Sequence, residues 1–311
     1  MWHDLSRRLA KGFLRLANWL VDGLVLSFVV IVVLYSAYAL VDNGRVADAA
    51  SSEVFESYRP DAEGPGFEEL QAKNPDVCAW LTLYGTGVDY PVVRGESNEE
   101  YLNTDAAGNF ALSGALFIDY RQPNDFSAPA TIVYGHHMED SLMFGDLDRY
   151  GQASYLDQHK HGDIYYAGAH HGVEIVGYML ADAYDQTVYS TTVGESPSTD
   201  DFIAYVREHS AVWDGDLTSA DHVLVLSTCA TGTNGRHVVF AKITDQTFDN
   251  PYQEQEVSRT LTGNAGEGFP LWAKIGIGLL VLVLIAWVVG APRKGKRNGN
   301  GRQSKAGADV K

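Results

Sequence analysis

The chain has 311 residues and a formal net charge of −17 at pH 7, a length that suits one sizeable domain or two small ones. The acidity is concentrated between residues 41 and 268, where 37 Asp and Glu side chains face 11 Lys and Arg, a net of −26. Nucleic acids are bound largely by neutralising their phosphates, so this charge excludes a nucleic-acid-binding protein. It suits a soluble domain held outside a membrane.

Two segments are apolar enough to cross a membrane. Residues 23–40 carry no charged side chain over 18 positions, and residues 275–291 carry none over 17. A span needs about 20 mostly apolar residues. Basic residues near the ends of a span stay on the cytoplasmic side. Here they lie between each apolar segment and the nearer chain terminus: Arg7, Arg8, Lys11 and Arg15 before the first segment, and Arg293, Lys294, Lys296 and Arg297 after the second. We therefore expect both termini in the cytoplasm and the region between the spans outside the cell.

A cleaved signal peptide is the alternative for the first segment, although its apolar core exceeds the roughly 7–15 residues usual for one. With an uncleaved anchor, the predicted organisation has seven parts. They are a cytoplasmic N-terminus (1–18), a transmembrane helix (19–41), an extracellular juxtamembrane helix and linker (42–66), a folded domain (67–248), a linker (249–269), a second transmembrane helix (270–291) and a basic cytoplasmic tail (292–311).

Eight short runs rich in Val, Ile, Tyr and Thr follow residue 75, each bounded by turn residues. Their sequences are CAWLTLYG, VDYPVVRG, GALFIDYR, ATIVYGHH, GDIYYAG, VEIVGYMLADAY, HVLVLSTC and RHVVFAKI. This number and spacing of strands predict a mainly β fold built on a closed barrel. Two helices are predicted before the strands, over 46–57 and 67–73. Two more interrupt them, within 141–159 and 198–210, where apolar residues recur at helical spacing.

The two cysteines of the chain, Cys78 and Cys229, have different surroundings. In a domain outside the cytoplasm they could form a disulfide. The alternative is that Cys78, inside an apolar strand, is a small buried hydrophobe. Cys229 would then be a free, reactive thiol, because it ends an apolar strand beside small and polar residues.

Cys229, His136 and Arg236 together form a plausible acyl-transfer site. A thiol attacks as the thiolate, which is scarce at neutral pH when the pKa is about 8.5. A histidine can accept that proton and later protonate a leaving amine, and an arginine can stabilise an oxyanion. His136 and Cys229 each follow an apolar run and Arg236 opens the next one, so a turn between neighbouring strands brings Arg236 back beside Cys229.

The LSTC motif at 226–229, followed by Arg236 and VVFAKI, resembles the TLxTC…R signature of sortases. Sortases are membrane-anchored cysteine transpeptidases of Gram-positive bacteria. Residues 74–95, 101–121 and 132–150 resemble the class B branch of that family. The resemblance implies the closed eight-stranded sortase barrel with a few helices, here flanked by two transmembrane helices.

The resemblance also implies a role for each matching residue. Cys229 corresponds to the nucleophile that forms a thioacyl intermediate, His136 to the general acid and base, and Arg236 to the residue that orients substrate and stabilises the oxyanion. Ser227 and Thr228 correspond to positions that line the substrate groove. His137 would point to the opposite face of a strand from its neighbour, and the Gly-His-x-Met pattern of the family favours His136.

The resemblance implies partners as well. The substrate would be a surface protein or pilin that carries a C-terminal sorting motif, and the amine acceptor a peptidoglycan precursor or a pilin lysine. The second apolar segment is a departure, because class B sortases usually have only an N-terminal anchor, whereas a C-terminal span is more familiar in pilin-polymerising class C enzymes. Wall anchoring and pilin polymerisation therefore both stay open.

Two other functions are alternatives to this one. A cysteine peptidase would release the acyl group to water, and a catalytically silent binding or sensor module would not need all three residues. We expect no metal or organic cofactor. The pairs His159/His161 and His170/His171 lack a carboxylate or cysteine at ligand spacing, so we predict surface histidines. We predict structural hydrogen-bonding roles for Asp119 and Asp146.

Overall fold

The computed structural model describes residues 2–61, 66–229 and 234–253. The described residues fall into two compact units, one comprising residues 2–39 and the other beginning at Leu40. The predicted second transmembrane helix (270–291) and the basic tail (292–311) lie outside the described residues.

One long helix accounts for the described residues of the first unit and continues into the second. Helix α1 runs from Trp2 to Ala50, and a 3-10 helix follows from Ser52 to Tyr58. The segment Leu5–Tyr58 is long and apolar enough to cross a membrane, with a mean hydropathy of 2.6 in its most apolar 18 residues and none of that stretch buried. The helix continues past the predicted end at residue 41 to Ala50. The helix predicted over 46–57 is therefore found as the last part of α1 followed by the 3-10 helix.

The second unit is a β-barrel with short helices. Its strands are β1 (Val77–Leu83), β2 (Asp89–Val93), β3 (Leu116–Ile118), β4 (Ala130–Gly135), β5 (His161–Tyr166), β6 (Ala169–Asp182), β7 (Val212–Trp213), β8 (His222–Cys229) and β9 (Gly235–Thr244). The helices are α2 (Gly66–Lys73), α3 (Ala153–Gln158) and α4 (Thr199–His209), with 3-10 turns at Glu100–Leu102 and Gly145–Gly151.

Eight of these strands close into a barrel. The sheet order is β5-β1-β2-β3-β4-β8-β9-β6, and β5 also pairs with β6, which joins the two ends. Strand β7 has only two residues and pairs with Gly177 and Tyr178 of β6. All eight predicted strands are present, so the predicted closed eight-stranded barrel is confirmed.

Strand alternation divides each strand between two apolar clusters. In β8, Leu224 and Leu226 belong to the core inside the barrel. Their neighbours Val223 and Val225 belong to a second cluster on the outside. Helix α4 covers that outer cluster with Phe202 and the other apolar residues of its buried face. Ser198 caps the N-terminus of α4, because its hydroxyl accepts a hydrogen bond from the backbone N–H of Asp201, the third helical residue.

The 3-10 helix Gly145–Gly151 closes one end of the barrel. Its residues Leu147 and Tyr150 are fully buried in the interior core, and the helix packs against β6 and β9. The segment that leads into it, residues 136–144, follows directly from the end of β4. The barrel end at which β4 and β8 stop is therefore the end that this segment and helix cover.

Candidate active site

Three strand ends bring the predicted catalytic positions together. Strands β4 and β8 are parallel neighbours, with Gly135 opposite Thr228. Strands β8 and β9 are antiparallel neighbours, with Cys229 opposite Arg236. Residues directly opposite each other in an antiparallel pair have Cα atoms about 4.5–5.5 Å apart, so positions 229 and 236 are adjacent. His136 is the residue after Gly135 and begins the next segment at this same edge.

Alternation places the three positions on one face. Position 229 is in phase with Val225 and Ser227, and Val225 packs in the outer cluster. In β9, Arg236 is in phase with Val238, which belongs to the same outer cluster. In β4, Tyr134 packs against that cluster, and His136 is in phase with it. The candidate site therefore lies on the outer surface of the barrel, at its end.

The His136 side chain is partly exposed and is held by the backbone. Its Nε2 lies 2.9 Å from the carbonyl oxygen of Leu102. Because a carbonyl only accepts hydrogen bonds, the proton of the neutral ring is on Nε2, and Nδ1 is the nitrogen that can accept a proton. The carbonyl oxygen of His136 accepts a hydrogen bond from Phe144 N at 3.0 Å, which ties the start of this segment to the barrel.

Gly135 sets how closely this segment approaches the barrel interior. A Cβ atom at this position would lie 2.5 Å from Leu116 Cδ2 and 2.7 Å from Phe144 Cδ2. Both of those side chains are fully buried. Only a residue without a side chain fits here, and the close approach fixes the position of the following residue, His136.

The Arg236 side chain is partly exposed, and its guanidinium forms no hydrogen bond or ion pair with any residue that the structure describes. Within the described part of the chain, its five donors are therefore available to a ligand. This arrangement suits a role in binding a carbonyl oxygen or in stabilising negative charge that develops on it.

The two predicted groove residues are both buried. Ser227 is 1% exposed, and its hydroxyl lies 3.0 Å from the hydroxyl of Tyr189. Tyr189 stacks on Tyr134, with ring centroids 6.2 Å apart. Thr228 is 2% exposed and is in phase with the interior residue Leu226. Ser227 thus lies beneath an aromatic pair at the site, while Thr228 is on the interior face.

Tyr189 and Tyr134 were not predicted as site residues. Tyr134 donates a hydrogen bond to Asp119 at 3.2 Å, so the aromatic pair is anchored to a buried carboxylate. The Tyr189–Ser227 contact joins residues 38 positions apart. Only the position of Tyr134, two residues before His136 and on the same face, could have indicated its proximity from the sequence.

Asp119 and Asp146 have the structural roles predicted for them. Asp119 is fully buried, and its two carboxylate oxygens accept hydrogen bonds from Arg121 at 2.8 and 2.7 Å. Burial alone would raise the pKa of Asp119, but the hydrogen bonds from Arg121 and Asn98 outweigh it and hold that pKa below its ordinary value. Asp146 accepts hydrogen bonds from Gly87 N at 2.9 Å and from the Ser141 hydroxyl at 2.8 Å.

The disulfide alternative for Cys78 is wrong, because Cys78 is a free thiol. It lies in β1, and its Sγ donates to the carbonyl oxygen of Val92 at 3.5 Å. Burial raises the pKa of Cys78 to about 12, so this thiol is almost entirely protonated at neutral pH.

The histidines of the two predicted pairs each have a different contact partner. His159 Nδ1 lies 3.1 Å from the carbonyl oxygen of Tyr84, and His161 stacks on Phe248 with centroids 4.0 Å apart. His170 Nδ1 lies 2.7 Å from Asp163 Oδ1. Each of these three histidines is partly exposed.

A closed eight-stranded barrel with a cysteine and an arginine opposite each other on neighbouring strands defines the sortase class of cysteine transpeptidases. No protein-family model matches the sequence. The chain is 31% identical to sortase B of Listeria monocytogenes over 200 residues, which are 63% of this chain and 79% of that protein.

Solved structures show the same likeness. A class B sortase of Streptococcus pyogenes involved in pilus biogenesis is 34% identical, with a TM-score of 0.53 over 57% of this chain and 97% of that one. Sortase B from the type II pilus of Streptococcus pneumoniae is 38% identical, with a TM-score of 0.51 over 58% of this chain and 99% of that one. The chain belongs to the class B sortases, and it is a cysteine transpeptidase.

Proposed function

We propose that this sortase cleaves a C-terminal sorting motif through a thioacyl intermediate on Cys229 and transfers the acyl group to an amine. The observation that carries the proposal is the strand register, which sets Cys229 opposite Arg236 and ends the neighbouring strand one residue before His136. The resemblance to the sortase signature assigns the roles. The partly exposed Arg236 side chain, which has no partner among the described residues, and the tautomer of His136 are compatible with them.

The chemistry follows from these groups. His136 accepts the thiol proton at Nδ1, and the Cys229 thiolate attacks the carbonyl carbon of the scissile peptide bond. Arg236 stabilises the resulting oxyanion. As the carbon–nitrogen bond breaks, His136 returns the proton to the leaving amine. An acceptor amine then attacks the thioester and gives one proton to His136, the carbon–sulfur bond breaks, and that proton passes to the Cys229 sulfur, which leaves the new amide and a free thiol.

The acceptor amine is a pilin lysine or a peptidoglycan precursor. Both solved structures described above come from pilus systems and are 34% and 38% identical to this chain, which supports the pilin lysine. Both acceptors give the same amide chemistry at Cys229, so the site itself does not distinguish them.

We propose that α1 anchors the enzyme to the cell membrane with the catalytic domain extracellular. Its apolar stretch is long enough to span, and the basic residues before it predict a cytoplasmic N-terminus. The predicted C-terminal span would also place the C-terminus in the cytoplasm.

The experiment uses the full chain in detergent micelles with a library of sorting-motif pentapeptides. Two acceptors are compared, triglycine and a peptide with one lysine, and products are followed by mass spectrometry. Transpeptidation is supported if amide product forms only when an amine is present. The product should be lost in Cys229→Ala but kept in Cys78→Ala. Equal release of free acid with and without amine would indicate a peptidase. Absence of any product would favour a silent binding module.

A further inference from the structure

A second group of ionisable side chains lies behind the candidate active site. His137, Asp148 and His237 each offer one ligand atom, and these three atoms all lie within 4.8 Å of one another. His137 Nε2 is 3.5 Å from Asp148 Oδ2. The two imidazole rings have centroids 5.8 Å apart and are tilted by 33°.

This group is on the opposite face from the candidate catalytic residues. His137 follows His136 and His237 follows Arg236, and successive side chains of an extended segment point to opposite faces. His237 is in phase with Val239, which belongs to the interior core. Asp148 comes from the 3-10 helix that covers this end of the barrel. The group therefore lies at the mouth of the barrel interior.

Two neighbouring side chains, Tyr178 and Thr228, support ligand binding by this group. The Tyr178 hydroxyl lies 2.7 Å from His237 Nδ1, which leaves His237 Nε2 available as a ligand and supplies the outer-shell partner typical of metal-bound histidines. The Thr228 hydroxyl is buried and has no hydrogen-bond partner among the residues that the structure describes. Thr228 stands directly opposite His237 in the β8–β9 ladder. A buried hydroxyl needs a polar partner, and a metal-bound water at this position would provide one.

We infer that His137, Asp148 and His237 form a binding site for a divalent transition-metal ion, best matched by Zn²⁺. Two imidazoles and one carboxylate are a ligand set that Zn²⁺ accepts, with water at the fourth position. Tetrahedral bonds of about 2.0–2.1 Å place ligand atoms roughly 3.3–3.4 Å apart. The 3.5 Å between His137 and Asp148 fits this directly, and the remaining separations close by about 1.5 Å or less through side-chain rotation. Ca²⁺ and Mg²⁺ prefer oxygen ligands only.

A bound ion joins three segments at the catalytic end of the barrel. It links the residue after His136, the residue after Arg236 and the 3-10 helix Gly145–Gly151. Because the ligands come from separate parts of the chain, binding stabilises the folded state. The site is distinct from the proposed acyl-transfer chemistry, and its existence does not depend on that proposal.

The test measures Zn²⁺ binding to tag-free full chain in detergent, in the Cys229→Ala background so that no thiolate at residue 229 can bind the metal. Isothermal titration gives the affinity and thermal unfolding gives the shift. We expect the Tm to rise by about 5–10 °C at a Zn²⁺ concentration 100-fold above the Kd. Ca²⁺ at the same concentration leaves the Tm unchanged.

Variants distinguish this site from other surface histidines. Asp148 is 42% exposed, so Asp148→Asn preserves the fold, and it weakens Zn²⁺ binding at least tenfold. His237→Gln has a similar effect, while the control His209→Gln, on the exposed side of α4, binds as the parent does. If His237→Gln does not fold, His137→Asn with Asp148→Asn carries the test. No Zn²⁺-dependent rise in Tm, or an equal rise in Asp148→Asn, overturns the inference.

Discussion

The close approach at Gly135 gives the sharpest prediction about how the barrel positions His136. Replacement with alanine adds one Cβ that would lie 2.5 Å from Leu116 Cδ2 and 2.7 Å from Phe144 Cδ2. Carbon atoms prefer separations of about 3.5–4.0 Å, so the shortfall is roughly 1 Å with each of two buried side chains. Overpacking of this kind costs about 1–3 kcal/mol. The strain is relieved by moving the end of β4, and with it His136, outward.

We therefore expect Gly135→Ala to lower the Tm by about 2–12 °C, using roughly 2–4 °C per kcal/mol for a domain of this size. A displacement of about 1 Å at a catalytic group reduces the rate by about 100-fold, so kcat/KM for amide formation should fall by that order. Gly44→Ala is the matched control, because apart from the adjacent residues and the backbone of its own helix no atom lies within 4 Å of the added Cβ. It should keep both the Tm and the rate. Wild-type stability and rate in Gly135→Ala would refute the reasoning.

Three further predictions concern single side chains. Iodoacetamide at pH 7.5 should modify Cys229 but leave Cys78, whose pKa is about 12, unmodified until the protein is denatured; peptide mapping that finds both equally labelled would contradict this. Arg236→Lys should lower kcat by about 100-fold or more with an unchanged Tm, because the Arg236 guanidinium has no hydrogen bond or ion pair among the described residues. A normal rate, or an equal loss of stability, would count against an oxyanion role. Asp119→Asn should lower the free energy of unfolding at pH 7 by about 1–3 kcal/mol, because the variant loses the charge-assisted hydrogen bonds that Arg121 donates to the carboxylate. The carboxylate has a folded-state pKa below its ordinary value, so its contribution is present above about pH 4 and is lost as the pH falls through the folded-state pKa. The difference between wild type and Asp119→Asn in urea unfolding should therefore shrink below pH 4, and a constant difference would be the contrary result.

The barrel was predictable because each strand carries its own local signal. The runs around β8 and β9 alternate between two apolar faces, and turn residues separate them, so their number and order follow from the sequence. The two-residue strand β7 carries no such period and was not predicted. Helix α1 was predicted to stop near residue 41 but continues to Ala50. Hydropathy marks where an apolar stretch ends, and a helix can extend beyond that point.

The candidate site was predictable only in part. The motif around Cys229 and the position of His136 at a strand end indicated which residues to choose, and alternation indicated that His136 and His137 differ in face. The contacts of Tyr189 with Ser227, and of Asp148 with His137, depend on how loops fold over the barrel end. Such contacts leave no periodic pattern in the sequence from which they could be predicted. The resemblance implied a groove position for Thr228, but its burial on the interior face emerged only from the register of the closed barrel.

The central claim is that acyl transfer passes through a thioester on Cys229. The most direct measurement is to mix the full chain in detergent with an active sorting-motif peptide, without amine, stop the reaction in acid and determine the mass of the peptide that contains Cys229. The account predicts a mass increase equal to the N-terminal fragment of the substrate, removable by hydroxylamine and reduced in His136→Ala. Product formation in Cys229→Ala, or turnover with no acyl group on Cys229 at any time point, would contradict it.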